Sequence, residues 1–257
     1  MDVTPHFRLD GKAALVTGAG RGIGRGIALA FASAGADVAL LSRTRSDLEG
    51  VANTITALGR KAIVLPCDVS DESALAAAVE STVNEFGRLD ALVNNAGGTG
   101  PNDPLRTTPG QFLKALEWNV LPAFALTRLA VPHLRQSGSA SVINITSAAA
   151  RYAQRSFSNY GTAKAALTQL TRLLAQDFAP QIRVNGIAPG PVVTDSLAKF
   201  LTDDVRTAME KRTPLARLGV VDDIAAAALY LASPASAWMT GKILELDGGA
   251  EATVWPL

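Results

Sequence analysis

The chain has 257 residues and a formal net charge of +1, with 48% hydrophobic and 18% charged residues, a composition that fits a filled globular core rather than a disordered segment. It has no basic block and no apolar run approaching the about 18 residues of a membrane span, so neither nucleic acid nor a bilayer is an expected partner, and its first residues lack the basic start and apolar core of a secretion signal. One cysteine, Cys67, excludes an internal disulfide, and the isolated His6 and His133 form no metal-ligand cluster; the expectation is a cytoplasmic protein without a metal centre.

Lys12–Thr17 predicts a strand that ends in Gly18-Ala19-Gly20-Arg21-Gly22-Ile23-Gly24, and a helical pattern from Arg25 stops at Gly35. Strand, glycine-rich turn and helix form the setting in which backbone amides and a helix N-terminus receive a phosphate. The spacing Gly-x-x-x-Gly-x-Gly departs from the G-x-G-x-x-G fingerprint, so close packing stays open as an alternative. Asp37–Ser42 predicts a second strand. At its end, where a carboxylate would bind ribose hydroxyls, stand Ser42 and Arg43. A guanidinium binds a 2′-phosphate that a carboxylate would repel, and Arg21 offers a second cation. This favours NADP(H) over NAD(H), against the alternative that both arginines are solvated surface charges.

Lys61–Leu65 is a third predicted strand, with Cys67, Asp68 and Val69 after it. A helix over Asp71–Phe86, capped by Asp71, leads to a fourth strand, Leu89–Val93, and then to Asn94-Asn95-Ala96-Gly97-Gly98. Residues 98–111 predict a loop, and 112–134 a helix whose interior Asn119 is either functional or bonded to backbone. Ser141–Ile145 is the fifth strand, running into Thr146-Ser147. Gly138-Ser139-Ala140-Ser141-Val142 breaks the nucleophile-elbow pattern of a serine hydrolase.

Ser156–Phe178 reads as a helix carrying Tyr160 and Lys164, four residues apart and so on one face. The ammonium is expected to favour phenolate, lowering the tyrosine pKa from about 10 towards working pH and fitting it for acid/base work. Gln181–Ile187 is the sixth strand, followed by Pro189, Gly190, Val192 and Thr194. Residues 195–213 are polar and suit a substrate lid spanning about 191–213. Asp222 is the expected cap of a helix ending near Leu231, and Lys242–Leu246 is the seventh strand. Strands alternating with helices imply a parallel sheet. The expected fold is therefore α/β, a Rossmann-type doubly wound seven-stranded parallel sheet with helices on both faces, in one domain over 1–257.

With these residues assembled, the chain resembles the short-chain dehydrogenase/reductase family along essentially its whole length. The matches, in order, are Thr17-Gly18-x-x-x-Gly22-x-Gly24, Asp68, Asn94-Asn95-Ala96-Gly97, Asn119, Ser147, Tyr160-x-x-x-Lys164, Asn185, Pro189-Gly190-x-x-x-Thr194 and Asp247-Gly248-Gly249. The resemblance implies Tyr160 as proton donor and acceptor, and Lys164 as modulator of Tyr160 and holder of the nicotinamide ribose. It implies Ser147 as the group that polarises the carbonyl, and Asn119 as the organiser of a water relay. Cofactor contacts would come from the turn (Thr17 to Gly24), Asp68 and Val69 beside adenine, Asn94 to Gly97, and Pro189, Gly190, Val192 and Thr194 at the nicotinamide end. The hydride would come from the cofactor.

Three alanines follow Ser147 where many relatives carry a glycine. The runs 97–101, 145–150 and 236–241 are similar to bacterial 7-alpha-hydroxysteroid dehydrogenases, and the broad pattern to 3-oxoacyl-carrier-protein reductases. The expected activity is interconversion of a ketone and a secondary alcohol, with an acyl thioester reductase as alternative. A non-catalytic dinucleotide sensor is a remote alternative, because such modules generally lose the Tyr or the Lys. The resemblance implies a homotetramer. Ala163, Ala166, Leu167, Leu170, Leu173, Leu174 and Phe178 form an apolar arc wide enough for a subunit contact, which Val254-Trp255-Pro256-Leu257 could join.

Overall fold

A computed structural model describes residues 2–256. Its seven strands are β1 Ala13–Thr17, β2 Asp37–Ser42, β3 Ala62–Pro66, β4 Ala91–Asn94, β5 Ala140–Ile145, β6 Ile182–Pro189 and β7 Ile243–Leu246. They form one parallel sheet in the order β3-β2-β1-β4-β5-β6-β7. The chain builds outward from β1 to β3 and then returns to build the other half from β4. That reversal makes the sheet a Rossmann-type doubly wound one, with a crevice at the carboxyl ends of β1 and β4.

Alternate strand residues feed two apolar layers. Ala14, Val16, Val38, Leu40 and Ile143 face α1 (Gly22–Ser33), α2 (Arg45–Ala57) and α8 (Val221–Ala232), where Ile27, Phe31, Leu48, Ile55 and Leu231 pack. Leu15, Leu41, Leu92, Val142 and Val184 face α3 (Glu72–Phe86), α4 (Pro109–Leu134) and α5 (Ser158–Phe178), against Leu75, Val79, Leu126, Leu134 and Leu174. Burial of both faces is why these strands read as continuous apolar runs.

The ends of the helices follow local chemistry. The Asp71 carboxylate accepts from the Ser73 and Ala74 amides, as expected. α4 starts three residues before 112, because Thr108 and Gln111 form a reciprocal capping box. Asp222 is not the cap of α8. Asp223, three residues after Val220, takes the Val220 amide at 2.8 Å and pairs with Arg217 at 2.7 Å, the position from which a side chain reaches back to the start of a helix. The polar stretch 195–213 contains α6 (Asp195–Ala198) and α7 (Asp203–Arg212), capped by the Thr194 and Thr202 hydroxyls. A third apolar cluster, Met209, Leu218, Ala250 and Val254, packs beneath them.

One buried carboxylate ties the strand entries together. Asp90, 3% exposed, accepts from the Ala13 amide at 2.9 Å, from Arg88 at 2.6 and 2.7 Å, from Lys12 at 3.3 Å and from the Ser137 hydroxyl. Burial alone would raise its pKa, but these donors prevail and hold it below the ordinary aspartate value.

Candidate active site

A cleft of about 770 Å³ opens at the carboxyl edge of the sheet. Gly18 and Gly22 take positive φ, 63° and 54°, which glycine adopts without strain. A Cβ on Gly24 would lie 2.3 Å from the Gly18 carbonyl oxygen, and one on Gly18 would lie 2.7 Å from Asn95 Nδ2. The turn therefore folds tightly on itself and on the exit of β4, while Gly18, Gly20, Arg21, Gly22 and Ile23 line the cleft at the start of α1. A backbone this bare beside a helix N-terminus suits the close approach of a pyrophosphate, so the chain fits a dinucleotide.

At one end of the cleft stand Ser42, Arg43, Thr44 and Asp47, with Cys67 and Val69. The Arg43 guanidinium lies over Trp118, 5.6 Å from the ring centroid. Cys67 is buried, and burial raises its thiol pKa. At the other end Ser147, Tyr160 and Lys164 share the cleft with Asn95, Ala96, Gly97, Pro189, Gly190, Val192 and Thr194. Ser147 leaves the end of β5 and opens a short 3-10 turn, Ala148–Ala150, its Oγ accepting from the Ala149 amide at 3.2 Å. The three alanines thus build a tight turn against Gly161, whose absent Cβ would lie 3.0 Å from the Ala149 oxygen.

Lys164 is 4% exposed. Its Nζ donates to the Ile145 carbonyl at 2.9 Å and lies 5.9 Å from the Tyr160 ring centroid. Burial pushes its pKa down to about 8. The expected lowering of the Tyr160 pKa by Lys164 is not what the structure gives. Burial raises the phenol's pKa, and the offset comes from the Ser147 hydroxyl. The reason is desolvation: the same enclosure that brings the two groups together disfavours the charged form of each. Phe157 packs edge-on against Tyr160, with ring centroids 5.9 Å apart.

Several expected contact residues stand behind the wall rather than on it. Thr17 is buried. Its hydroxyl donates to the Val93 carbonyl at 3.2 Å and accepts from the Asn95 and Ala96 amides at 2.9 Å, stitching β1 to β4. Gly24 is consumed by helix–turn packing. The Asn94 amide points into the core, donating to Asn144 at 2.8 Å and Thr127 at 3.0 Å. The Asp68 carboxylate turns to Ser70, which lowers its pKa. Asn119 bonds backbone, as its alternative had it: Oδ1 accepts from the Gly98 amide at 2.8 Å, and Nδ2 donates to the Ala115 carbonyl at 2.9 Å. It still borders the site, because a Cβ on Gly97 would lie 2.9 Å from Asn119 Oδ1 and 3.4 Å from Lys164 Nζ.

Trp118, Tyr152, Gln154, Phe157 and Trp255 line the cleft without having been expected there, and Phe200 reaches it from the stretch 191–213. The aromatics between Ser147 and Tyr160 were the available signal for Tyr152 and Phe157. Of the tail expected to join a subunit contact, Val254 is 4% exposed in the third cluster and the Trp255 carbonyl accepts from Arg212 at 2.9 Å, so both are anchored on their own chain. Leu257 lies outside the described residues. Among the described residues no group of His, Cys, Asp and Glu could hold a metal ion, and no helix is long and apolar enough to cross a membrane.

A dinucleotide crevice with Ser147, Tyr160 and Lys164 at one end defines a class, the nicotinamide-dependent oxidoreductases acting on CH–OH groups. The chain belongs to the short-chain dehydrogenase/reductase family. A family model described as enoyl-(acyl carrier protein) reductase matches residues 18–251. An uncharacterized oxidoreductase of Mycobacterium tuberculosis is 52% identical over 245 residues, covering 95% of this chain and 93% of the relative. The 7alpha-hydroxysteroid dehydrogenase of Escherichia coli K12 is 41% identical over 245 residues, 95% and 96% of the two chains. A solved 7 alpha-hydroxysteroid dehydrogenase, complexed with NADH and 7-oxo glycochenodeoxycholic acid, superposes with a TM-score of 0.94 at 41% identity, covering 97% of this chain and 98% of that one.

Proposed function

We propose that the protein interconverts a bulky alicyclic ketone, such as an oxosteroid, and its secondary alcohol, in one domain with residues 191–213 as a lid. The observation that carries the reading is the meeting of Tyr160, Ser147 and Lys164 at one end of a dinucleotide-sized cleft. Bound there, the nicotinamide would supply or accept the hydride. Tyr160 donates the proton to the carbonyl oxygen in reduction and removes it in oxidation. The Ser147 hydroxyl donates to the same oxygen as negative charge develops. Lys164, fixed by the Ile145 carbonyl, would hold the ribose and favour the phenolate once a substrate is in place. Asn119, behind Gly98, would keep a water in line with Lys164.

NADP(H) is the proposed cofactor. Ser42 in place of a carboxylate, with Arg43 and Arg21 on the cleft wall, supports it; Asp47 on the same wall and the NADH in the hydroxysteroid dehydrogenase complex favour NAD(H). Titration with NADPH and NADH decides: tighter NADPH binding that Arg43→Asp weakens by about tenfold, the order of one charge-assisted pair, supports the reading. Equal binding of both, unaltered by the substitution, contradicts it.

The second reading, a 3-oxoacyl thioester reductase, is favoured by the acyl-carrier description of the matching family model. A screen of steroid, small alicyclic and 3-oxoacyl thioester substrates with both cofactors separates the two. Turnover confined to thioesters would contradict the first. We further propose a cytoplasmic homotetramer, supported by apolar side chains left exposed on α4 and α5: Leu113, Leu121, Phe124 and Leu173.

A further inference from the structure

The apolar wall beyond Ser147 and Tyr160 comes from three separate pieces of chain. Tyr152 and Phe157 belong to the loop before α5, Phe200 and Met209 to the lid, and Val254 and Trp255 to the last residues of the chain. The tail reaches the cleft because it is anchored from two sides. Val254, 4% exposed, is buried with Met209, and Arg212 donates to the Trp255 carbonyl at 2.9 Å. Met209 is the one buried residue of α7, and it packs in this third cluster rather than in either layer against the sheet. The lid helix therefore has its apolar footing on the tail.

An indole is large, flat and rigid, so it buries much area at little rotamer cost. A fused-ring substrate laid against it has no internal rotations to freeze, whereas an acyl chain must order each of its bonds. We propose that Trp255 is a specificity-determining residue, an aromatic wall which the tail places in the cleft and which selects rigid polycyclic alcohols and ketones over small or flexible ones. The proposal rests on the bulky-alicyclic reading above.

The test compares wild type, Trp255→Ala and Trp255→Phe at saturating cofactor, with a hydroxysteroid and with cyclohexanol. Trp255→Ala raises KM for the steroid about tenfold, the factor carried by ~1.4 kcal/mol of lost apolar contact. It leaves kcat for the steroid and kcat/KM for cyclohexanol unchanged, and Trp255→Phe restores most of the loss. A merely structural role for the tail would move both substrates together and would weaken cofactor binding as well; either result overturns the proposal. If Trp255→Ala does not fold, Trp255→Phe and Trp255→Leu carry the same comparison. If the wild type oxidises no polycyclic alcohol, the functional reading fails and this proposal with it. If it does and KM is indifferent to residue 255, this proposal alone fails.

Discussion

Tyr160 and Lys164 illustrate how far spacing reaches and where it stops. Four residues on a helix place both on one face, and that was legible in the sequence. The direction of the tyrosine pKa was not, because it depends on enclosure by Phe157 and the ends of the strands, and enclosure is a tertiary property. Lys164, with its pKa depressed to about 8, gives a stability prediction with a definite sign. Below pH 8 the ammonium is buried in the folded state at a cost that the unfolded chain avoids. Between about 8 and 10.5 the folded state has lost the proton while the unfolded state retains it, so stability rises with pH. At ~1.4 kcal/mol per pH unit the gain is on the order of 3 kcal/mol. The raised pKa values of Cys67 and Tyr160 act in the opposite sense over this range, so the expected result is that denaturant unfolding shows wild-type stability rising with pH relative to Lys164→Met. Parallel curves would place the titration elsewhere.

Between the elements, two junctions carry the geometry. α1 meets its own entry turn so closely that Gly24→Ala sets a methyl 2.3 Å from the Gly18 carbonyl. The expected result is a loss of dinucleotide binding of at least about tenfold with the sheet intact by circular dichroism; unchanged binding would show that the turn tolerates displacement. At the opposite edge, Asp90→Ala removes the shared acceptor of Ala13, Arg88, Lys12 and Ser137. Hydrogen bonds to a charged group are worth about 1.5–3 kcal/mol, so a fall in melting temperature of roughly 5–10 °C is predicted for a chain of this size. Because the Asp90 pKa is held below its usual value, the stability it adds is present above the unfolded aspartate pKa and is lost only as pH falls through its depressed folded value.

The inner strands were legible because burial of both faces writes them as apolar runs, and the edge strands β3 and β7, only partly buried, as shorter runs in step with the alternation of strands and helices. α6 and α7 were not, although Thr194 and Thr202 each stand immediately before an acidic first turn; the polar composition of the segment masked its caps. Asn94 and Asn95 were indistinguishable in sequence, and only the register of β4 sends one into the core and the other towards the cleft.

For the molecule as a whole, the exposed residues Leu121 and Phe124 on α4, with Leu173 on the adjoining α5, predict association. Light scattering at micromolar concentration should give a tetramer mass, and Leu121→Asp with Phe124→Asp should give a smaller species. A wild-type monomer would contradict this part of the account. An apolar terminus reads the same in sequence whether it covers a neighbour or its own chain. The packing of Val254 against Met209 shows that this residue covers its own chain. In the proposed reaction the scales meet at Tyr160: the sheet supplies the crevice, the turn would cradle the cofactor, and residues 191–213 with the tail would wall the substrate. The direct measurement is steady-state turnover of wild type and Tyr160→Phe with a hydroxysteroid and a ketone panel, alongside cofactor binding for both. The account predicts that Tyr160→Phe binds the dinucleotide as wild type does and loses on the order of 10²–10⁴-fold in kcat; turnover equal to wild type would contradict it.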